Sequence, residues 1–320
     1  MFKMAALETA ATRSIFLPAR RYLRPPSLTL RRLQKLQRPV SERCLARGKI
    51  SSSLNPELGT IRSDRQDIQN IKLQILQHSA TLDRGQLHDR LVSDAYEGKR
   101  QKILELIQEL CSRKTESRFG KSMIAGEWEL VYSTCQLFRS SPFFMAIQAA
   151  FADKEKSALF FKLHDLQVKS WGASTVGRVA QNIDFESNQF RSEFDTIIFA
   201  LTVVPIFGWF KLLPTFGGRV ISYAEDLEFD IETGRLDMEL KRTRVEAAPG
   251  IPNIKKLPVL GRALMDNDFP VSRVWKSLPW NGGRAPKCSV TVKYVDDTFR
   301  IMEDPDGELF VYSRPLGTSI

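Results

Sequence analysis

The chain has 320 residues, 42% of them hydrophobic, which suffices for one large domain or two small ones plus a targeting segment, with a sizeable core. Its formal charge is +10, but residues 1–50 carry twelve Lys or Arg against Glu8 and Glu42, and residues 51–320 balance at 35 basic and 35 acidic. A nucleic-acid binder needs basic charge on its folded domain, facing phosphates, so nucleic acid is excluded as an expected partner.

Residues 1–50 run through Arg13, Arg20, Arg21, Arg24, Arg31, Arg32, Lys35, Arg38, Arg43 and Arg47, and Ser51, Ser52 and Ser53 follow. An Arg-rich, acid-poor start without the continuous apolar stretch of a secretory signal is the composition of an organelle transit peptide. Composition leaves chloroplast and mitochondrion both open, and the mature chain is expected to begin near residue 50. Cys44, Cys111, Cys135 and Cys288 form no CxxC pair and have no His at metal spacing, so no metal is expected. The last three read as small buried apolar residues.

A helical segment and connector are predicted over 51–122. Ser63 with Gln66 reads as a capping box, and Ile68, Ile71, Ile75 and Leu82 follow at helical spacing until Asp83-Arg84-Gly85. A second helix is predicted over roughly 90–112, with Ile103, Leu104, Ile107, Leu110 and Cys111 on one face.

From Gly126 the period changes to two. Trp128, Leu130 and Tyr132 alternate with Glu127, Glu129 and Val131, and the same alternation recurs at Leu227–Ile231, Leu236–Leu240 and Val290–Val292. With runs at 158–168, 175–185 and 188–200, this predicts eight or nine strands joined mostly by short hairpins, an example being Asp304-Pro305-Asp306-Gly307 before the last one. The expected fold is mainly β, with some α: an antiparallel up-and-down barrel over 123–320, preceded by two helices.

Three segments interrupt the pattern. Ser141–Lys156 is predicted as a short amphipathic helix through Phe143, Phe144, Ile147 and Phe151. Residues 249–286 hold six of the sixteen prolines and read as an irregular insertion. Ile197–Phe210 is apolar but shorter than the roughly twenty residues of a membrane-spanning helix, and Pro205 and Gly208 interrupt it. It is expected either as bent strands in a buried barrel wall, or with Phe207, Trp209 and Phe210 at a barrel mouth or in a lipid surface.

The chain carries no GxSxG, P-loop, GxGxxG after a strand, or HExxH, so neither a catalytic residue nor a cofactor is expected. His164 reads as a strand-face histidine beside Asp165, and the strand carboxylates alternate toward water. A barrel of about eight strands has room for one small apolar ligand. Tyr132, Gln181, Phe199, Phe207, Trp209 and Phe210 are the expected lipid contacts.

Gly126-Glu127-Trp128-Glu129-Leu130-Val131-Tyr132-Ser133-Thr134 resembles the opening strand of the plastid-lipid-associated protein, or fibrillin, family. Asp83-Arg84-Gly85, Gly177–Asp184, and Tyr294–Ile301 continuing through Gly307 to Val311 resemble further family segments in the same order. Ser141-Pro142-Phe143-Phe144 is similar to a form in some members. The resemblance implies a lipocalin-like barrel in the chloroplast, in stroma or at the surface of thylakoids or plastoglobules, associating with acyl lipids, prenylquinones or carotenoids. In such barrels the Gly-x-Trp of the first strand packs beside an Arg from the last strands and closes one end. Trp128 and Arg300 are the expected pair, worth about 0.5 to 2 kcal/mol. Two alternatives stand beside the lipid-binding reading. One is an isomerase or cyclase on an apolar substrate, using Asp184, Glu186, His164 or Arg300. The other is a scaffold for a plastid enzyme, in which the barrel is filled by its own side chains.

Overall fold

A computed structural model describes residues 56–86, 94–113, 120–151, 153–170, 175–197, 200–206, 209–215, 218–247, 267–277 and 282–315. The described residues all belong to one compact unit within Leu54–Ile320. The expected transit peptide, residues 1–50, lies outside the described residues, as do residues 248–266 of the Pro-rich insertion.

Helix α1 (Pro56–Thr81) starts before the expected cap: Pro56 opens it, and Ser63 lies inside it. Proline suits a first helical position because its fixed φ is already helical and its missing N–H would have had no partner there. Helix α2 (Asp94–Ser112) follows, then one turn, α3 (Lys121–Ile124), which delivers the chain to β1 (Gly126–Ser133).

After β1 a 3-10 turn (Leu137–Ser140) leads into α4 (Pro142–Ala150) and α5 (Lys154–Ser170). The strand expected over 158–168 is therefore helix. Ser157, Phe160, Phe161 and His164 are the buried positions, and their spacing of three and four residues puts them on one helical face. The segment 154–165 also contains no β-branched residue to favour a strand.

The remaining strands are β2 (Thr175–Asp184), β3 (Gln189–Ile197), β4 (Ala200–Ile206), β5 (Trp209–Thr215), β6 (Gly218–Phe229), β7 (Arg235–Glu246), β8 (Asp268–Phe269), β9 (Lys287–Val295), β10 (Phe299–Glu303) and β11 (Leu309–Ser313). A short helix, α6 (Val271–Ser277), separates β8 from β9. Nine strands form one antiparallel sheet in the order β6-β3-β2-β1-β11-β10-β9-β7-β8, and a β6–β7 ladder closes it into a ring. Among the described residues, strands β4 and β5 pair only with each other. The apolar segment expected in a wall thus leaves the ring as a hairpin between β3 and β6.

Two cores follow from the alternation of strand side chains. Inside the ring, Trp128, Leu130, Val179, Ile183, Phe190, Leu236, Met238, Val290, Phe310 and Tyr312 are buried. The 3-10 turn and α4 add Leu137, Phe138, Phe144, Met145 and Ile147 to the same cluster, and α4 packs against β6, β7 and β9. The outer face of β1, β9, β10 and β11 is covered by the two long helices. There Ile71, Ile75, Leu82, Ile103, Leu106, Ile107 and Leu110 meet Tyr132, Tyr294, Phe299, Ile301 and Val311. Each such fully buried side chain contributes about 2 kcal/mol through area removed from water.

The helices are attached through the Asp83-Arg84-Gly85 segment that ends α1. Asp83, Arg84 and Gly85 have φ of +46°, +56° and +88°. The turn they form lets Ser133 N–H donate to the Arg84 carbonyl at 3.0 Å, while the Arg84 guanidinium donates to the carbonyls of Gly177 and Val176 at 2.6 and 2.7 Å. A Cβ at Gly85 would lie 2.0 Å from the Ser133 carbonyl oxygen, so only glycine allows this approach.

Candidate functional site: a buried guanidinium row and an excluded hairpin

The ring register lines up one polar row on the interior face of four adjacent strands. Trp128 on β1 is opposite Gln181 on β2, Leu130 is opposite Tyr312 on β11, and Tyr312 is opposite Arg300 on β10. Trp128, Tyr312 and Arg300 are 0% exposed and Gln181 is 2% exposed. The Arg300 guanidinium carbon lies 4.8 Å from the Trp128 ring centroid and 4.3 Å from that of Tyr312. The first distance is inside the roughly 6 Å limit for a cation–π contact.

Gln181 organises the polar atoms of this row. Its Nε2 donates to the Tyr312 hydroxyl at 2.8 Å and to the Ser140 carbonyl at 3.0 Å, and its Oε1 accepts from Arg300 Nη2. Arg300 Nε and Nη1 have no hydrogen-bond partner among the described residues, and no carboxylate among them pairs with Arg300. Burial, and then the neighbouring Arg314 charge, push the Arg300 guanidinium down to about 9, so it is still cationic at neutral pH.

A second guanidinium addresses the same indole. Arg314, just after β11, lies 4.0 Å from the Trp128 centroid. Its Nη1 and Nη2 donate to the carbonyls of Ala125 and Met123 at 3.0 and 2.9 Å, and Trp128 Nε1 donates to the Ile124 carbonyl at 2.8 Å. These bonds satisfy the carbonyls of the turn that precedes β1 and hold that end of the ring together. Gly126, with φ +94°, makes room: a Cβ there would lie 2.8 Å from Arg314 Nη1. The sequence reading named Arg300 and missed Arg314. The available signal was that an Arg two residues past Tyr312 continues the inward register of β11.

Of the other expected lipid contacts, Tyr132 departs from its predicted face. A bulge between Leu130 and Tyr132 inserts Val131, so Leu130 faces Tyr312 while Tyr132 is opposite Val311. One extra residue reverses the side-chain alternation, and Tyr132 joins the helix-covered outer core. Phe199 and Phe207 lie outside the described residues. Trp209 and Phe210 open β5, opposite Ile206 and Pro205.

At another end of the interior the 3-10 turn and α4 are tied to the β10–β11 turn. Arg139 Nη2 donates to Asp304 at 3.2 Å and to Asp306 at 3.4 Å, and Gln148 Nε2 donates to the same carboxylates at 3.1 and 2.6 Å. Ser141 Oγ caps α4 and bonds Ser222 Oγ at 3.2 Å. His164 is on helix α5 rather than on a strand, 4.8 Å from the Phe138 centroid and 5.3 Å from that of Phe144. Burial lowers its pKa to about 4. Asp184 and Glu186 are exposed around the β2–β3 turn, so the four ionisable groups singled out in the sequence do not converge. Burial pushes the Cys135 and Cys288 thiols up to about 12, which keeps both protonated and unreactive at neutral pH.

Beside the hairpin, α5 runs along β4. It exposes Leu159 (57%) and Leu163 (46%), next to exposed Lys154, Lys156 and Lys162. Among the described residues no helix is long and apolar enough to cross a membrane. No protein-family model matches the chain, and neither does any curated protein or any solved structure.

Proposed function

We propose that this chain is a non-enzymatic plastid lipid-associated protein of the fibrillin type. In this reading the closed sheet is a lipocalin-like barrel whose interior receives an acyl or isoprenoid lipid, and the protein attaches peripherally to thylakoid or plastoglobule surfaces. The observation that carries the proposal is the β4–β5 hairpin. Among the described residues its two seven-residue strands pair only with each other, and they contain one charged residue, Lys211. A two-stranded sheet has no interior of its own, and one that is apolar on alternate and intervening positions alike has two apolar faces to cover; α5 lies along β4, and in this reading a lipid phase covers what the protein does not. The neighbouring Leu159 and Leu163, with exposed Lys162 between them and Lys154 and Lys156 ion-paired to Asp306 and Asp153, supply a mixed apolar and charged edge for peripheral attachment to a lipid surface.

The test is flotation of the full chain with vesicles containing phosphatidylglycerol. The chain is expected in the floated fraction, and Trp209→Ser with Phe210→Ser is expected to leave it in the dense fraction while thermal unfolding is unchanged. A wild-type chain that stays dense with both anionic and neutral vesicles would overturn the surface reading.

A second reading, a scaffold for a plastid enzyme, is favoured by the filling of the ring by Leu137–Ala150. Capture of one stoichiometric protein from stroma by the wild-type chain, in the absence of lipid, would favour it over the first.

A further inference from the structure

The unmatched charge of Arg300 is not explained by the closure of the ring, because Arg314 already binds the carbonyls before β1 and stacks on Trp128. Nor do the two aromatic contacts satisfy it. Rings address the faces of a guanidinium, whereas its N–H bonds lie in its own plane, and Nε and Nη1 remain without an acceptor. A buried cation without a counter-charge is disfavoured unless something supplies one. Among the described residues the charges nearest this row are cationic, Arg300 and Arg314, and Arg314 has Asp296 and Asp297 in its field while Arg300 has no carboxylate.

Away from the row the interior's other buried guanidinium, Arg139, is already paired with Asp304, and the wall next to Arg300 is apolar. On the same face, Leu130, Val179, Met302 and Phe310 continue from the polar row. One buried positive charge set in an apolar wall matches one negative charge on an apolar body. A monoester phosphate brings about −1.5 to −2 at neutral pH and would leave surplus charge buried, whereas a carboxylate brings one. We infer that the ring interior takes a carboxylate-headed amphiphile of the fatty-acid class, its head accepting from Arg300 Nε and Nη1 between Trp128 and Tyr312. The tail takes interior volume now filled by Leu137, Phe138 and Phe144, so the Leu137–Ala150 segment moves when the ligand binds. This inference rests on the lipid-binding reading and adds the head group to it.

The test is a head-group series on the wild-type full chain: oleate, oleyl alcohol and methyl oleate, by native mass spectrometry and by competition for a fluorescent acyl probe. Oleate is expected to bind one per chain and at least ~10-fold more tightly than the two uncharged lipids, since a charged partner left unpaired costs more than a neutral one. Arg300→Gln is expected to abolish that preference while leaving the uncharged lipids where they were. Amide exchange of residues 137–150 is expected to rise in the oleate complex. Equal binding of all three lipids, or an oleate preference that survives in a folded Arg300→Gln, overturns the inference and leaves the lipid-binding reading standing. Binding of none of the three, with no flotation on vesicles, overturns both. The wild-type series decides the matter by itself should Arg300→Gln fail to fold.

Discussion

Arg314 lies 4.0 Å from the centroid of Trp128 and donates to the carbonyls of Met123 and Ala125, so one side chain closes the turn before β1 onto the last strand of the ring. Charged hydrogen bonds and a cation–π contact together predict that Arg314→Met destabilises the protein by about 2 kcal/mol. Arg314→Lys should recover less than half of this, because an ammonium cannot span two carbonyls and still lie over the ring. Urea unfolding followed by tryptophan fluorescence measures both. A loss within 0.5 kcal/mol of zero for Arg314→Met would show that the closure carries no stability.

Gly85 sits where the helix pair is attached to the ring. Ala at this position meets the Ser133 carbonyl oxygen at 2.0 Å and adopts a φ of +88°. Either the Arg84–Ser133 hydrogen bond breaks or the turn moves, and both release the helices. Gly85→Ala is expected to cost more than about 2 kcal/mol. The change should appear in a thermal melt, with amides of α1 and α2 exchanging faster than those of β2 and β3.

Lys72 fastens α1 to the β9–β10 turn through an ion pair with Asp296 and a 3.0 Å bond to Thr298. Burial pushes the Asp296 carboxyl up, but the Lys72 and Tyr294 hydrogen bonds outweigh it and hold its pKa below the ordinary value. A depressed carboxylate pKa stabilises the fold above the unfolded-state pKa, and the contribution is lost as pH falls through the folded value. Lys72→Met is therefore expected to lower stability by about 1 to 3 kcal/mol at pH 7. The deficit relative to wild type should shrink toward pH 3. A pH-independent deficit in urea titrations would assign the loss to packing alone.

His164 has the opposite consequence for acid. Its folded pKa of about 4 lies below the ordinary histidine value of 6.5, so the unfolded chain binds the extra proton between these values. Its neutral form contributes nothing adverse above pH 6.5, and stability is lost progressively as pH falls toward 4, by about 3 kcal/mol in all. His164→Leu is expected to remove this acid-side loss, leaving a flatter stability curve between pH 4 and 6.5. Parallel curves for the two proteins would mean that His164 is protonated in place.

Local pattern was enough to find α2, the end of α1 at Asp83-Arg84-Gly85, β2, β3 and the late hairpins, because period and turn residues are properties of neighbouring positions in the chain. It failed at 158–168, where Phe160, Phe161 and His164 read as strand but belong to α5. Their burial beside Phe138 and Phe144 comes from residues some twenty positions earlier. It failed again at Tyr132, since a bulge is a property of two strands in register and β11 lies 180 residues along the chain.

The sequence by itself determined the charged first fifty residues, the neutral remainder, two amphipathic helices and a β-rich body, because composition and period follow directly from residue order. Only the tertiary structure decided that β4 and β5 leave the ring, that Arg314 and not Arg300 binds the carbonyls before β1, and that Gln181 joins Tyr312 to Arg300. The physical reason is the same in each case. Which face of a strand is interior, and which of two arginines reaches a given carbonyl, depends on the register between strands distant in sequence, and that register is set by the whole ring closing at once.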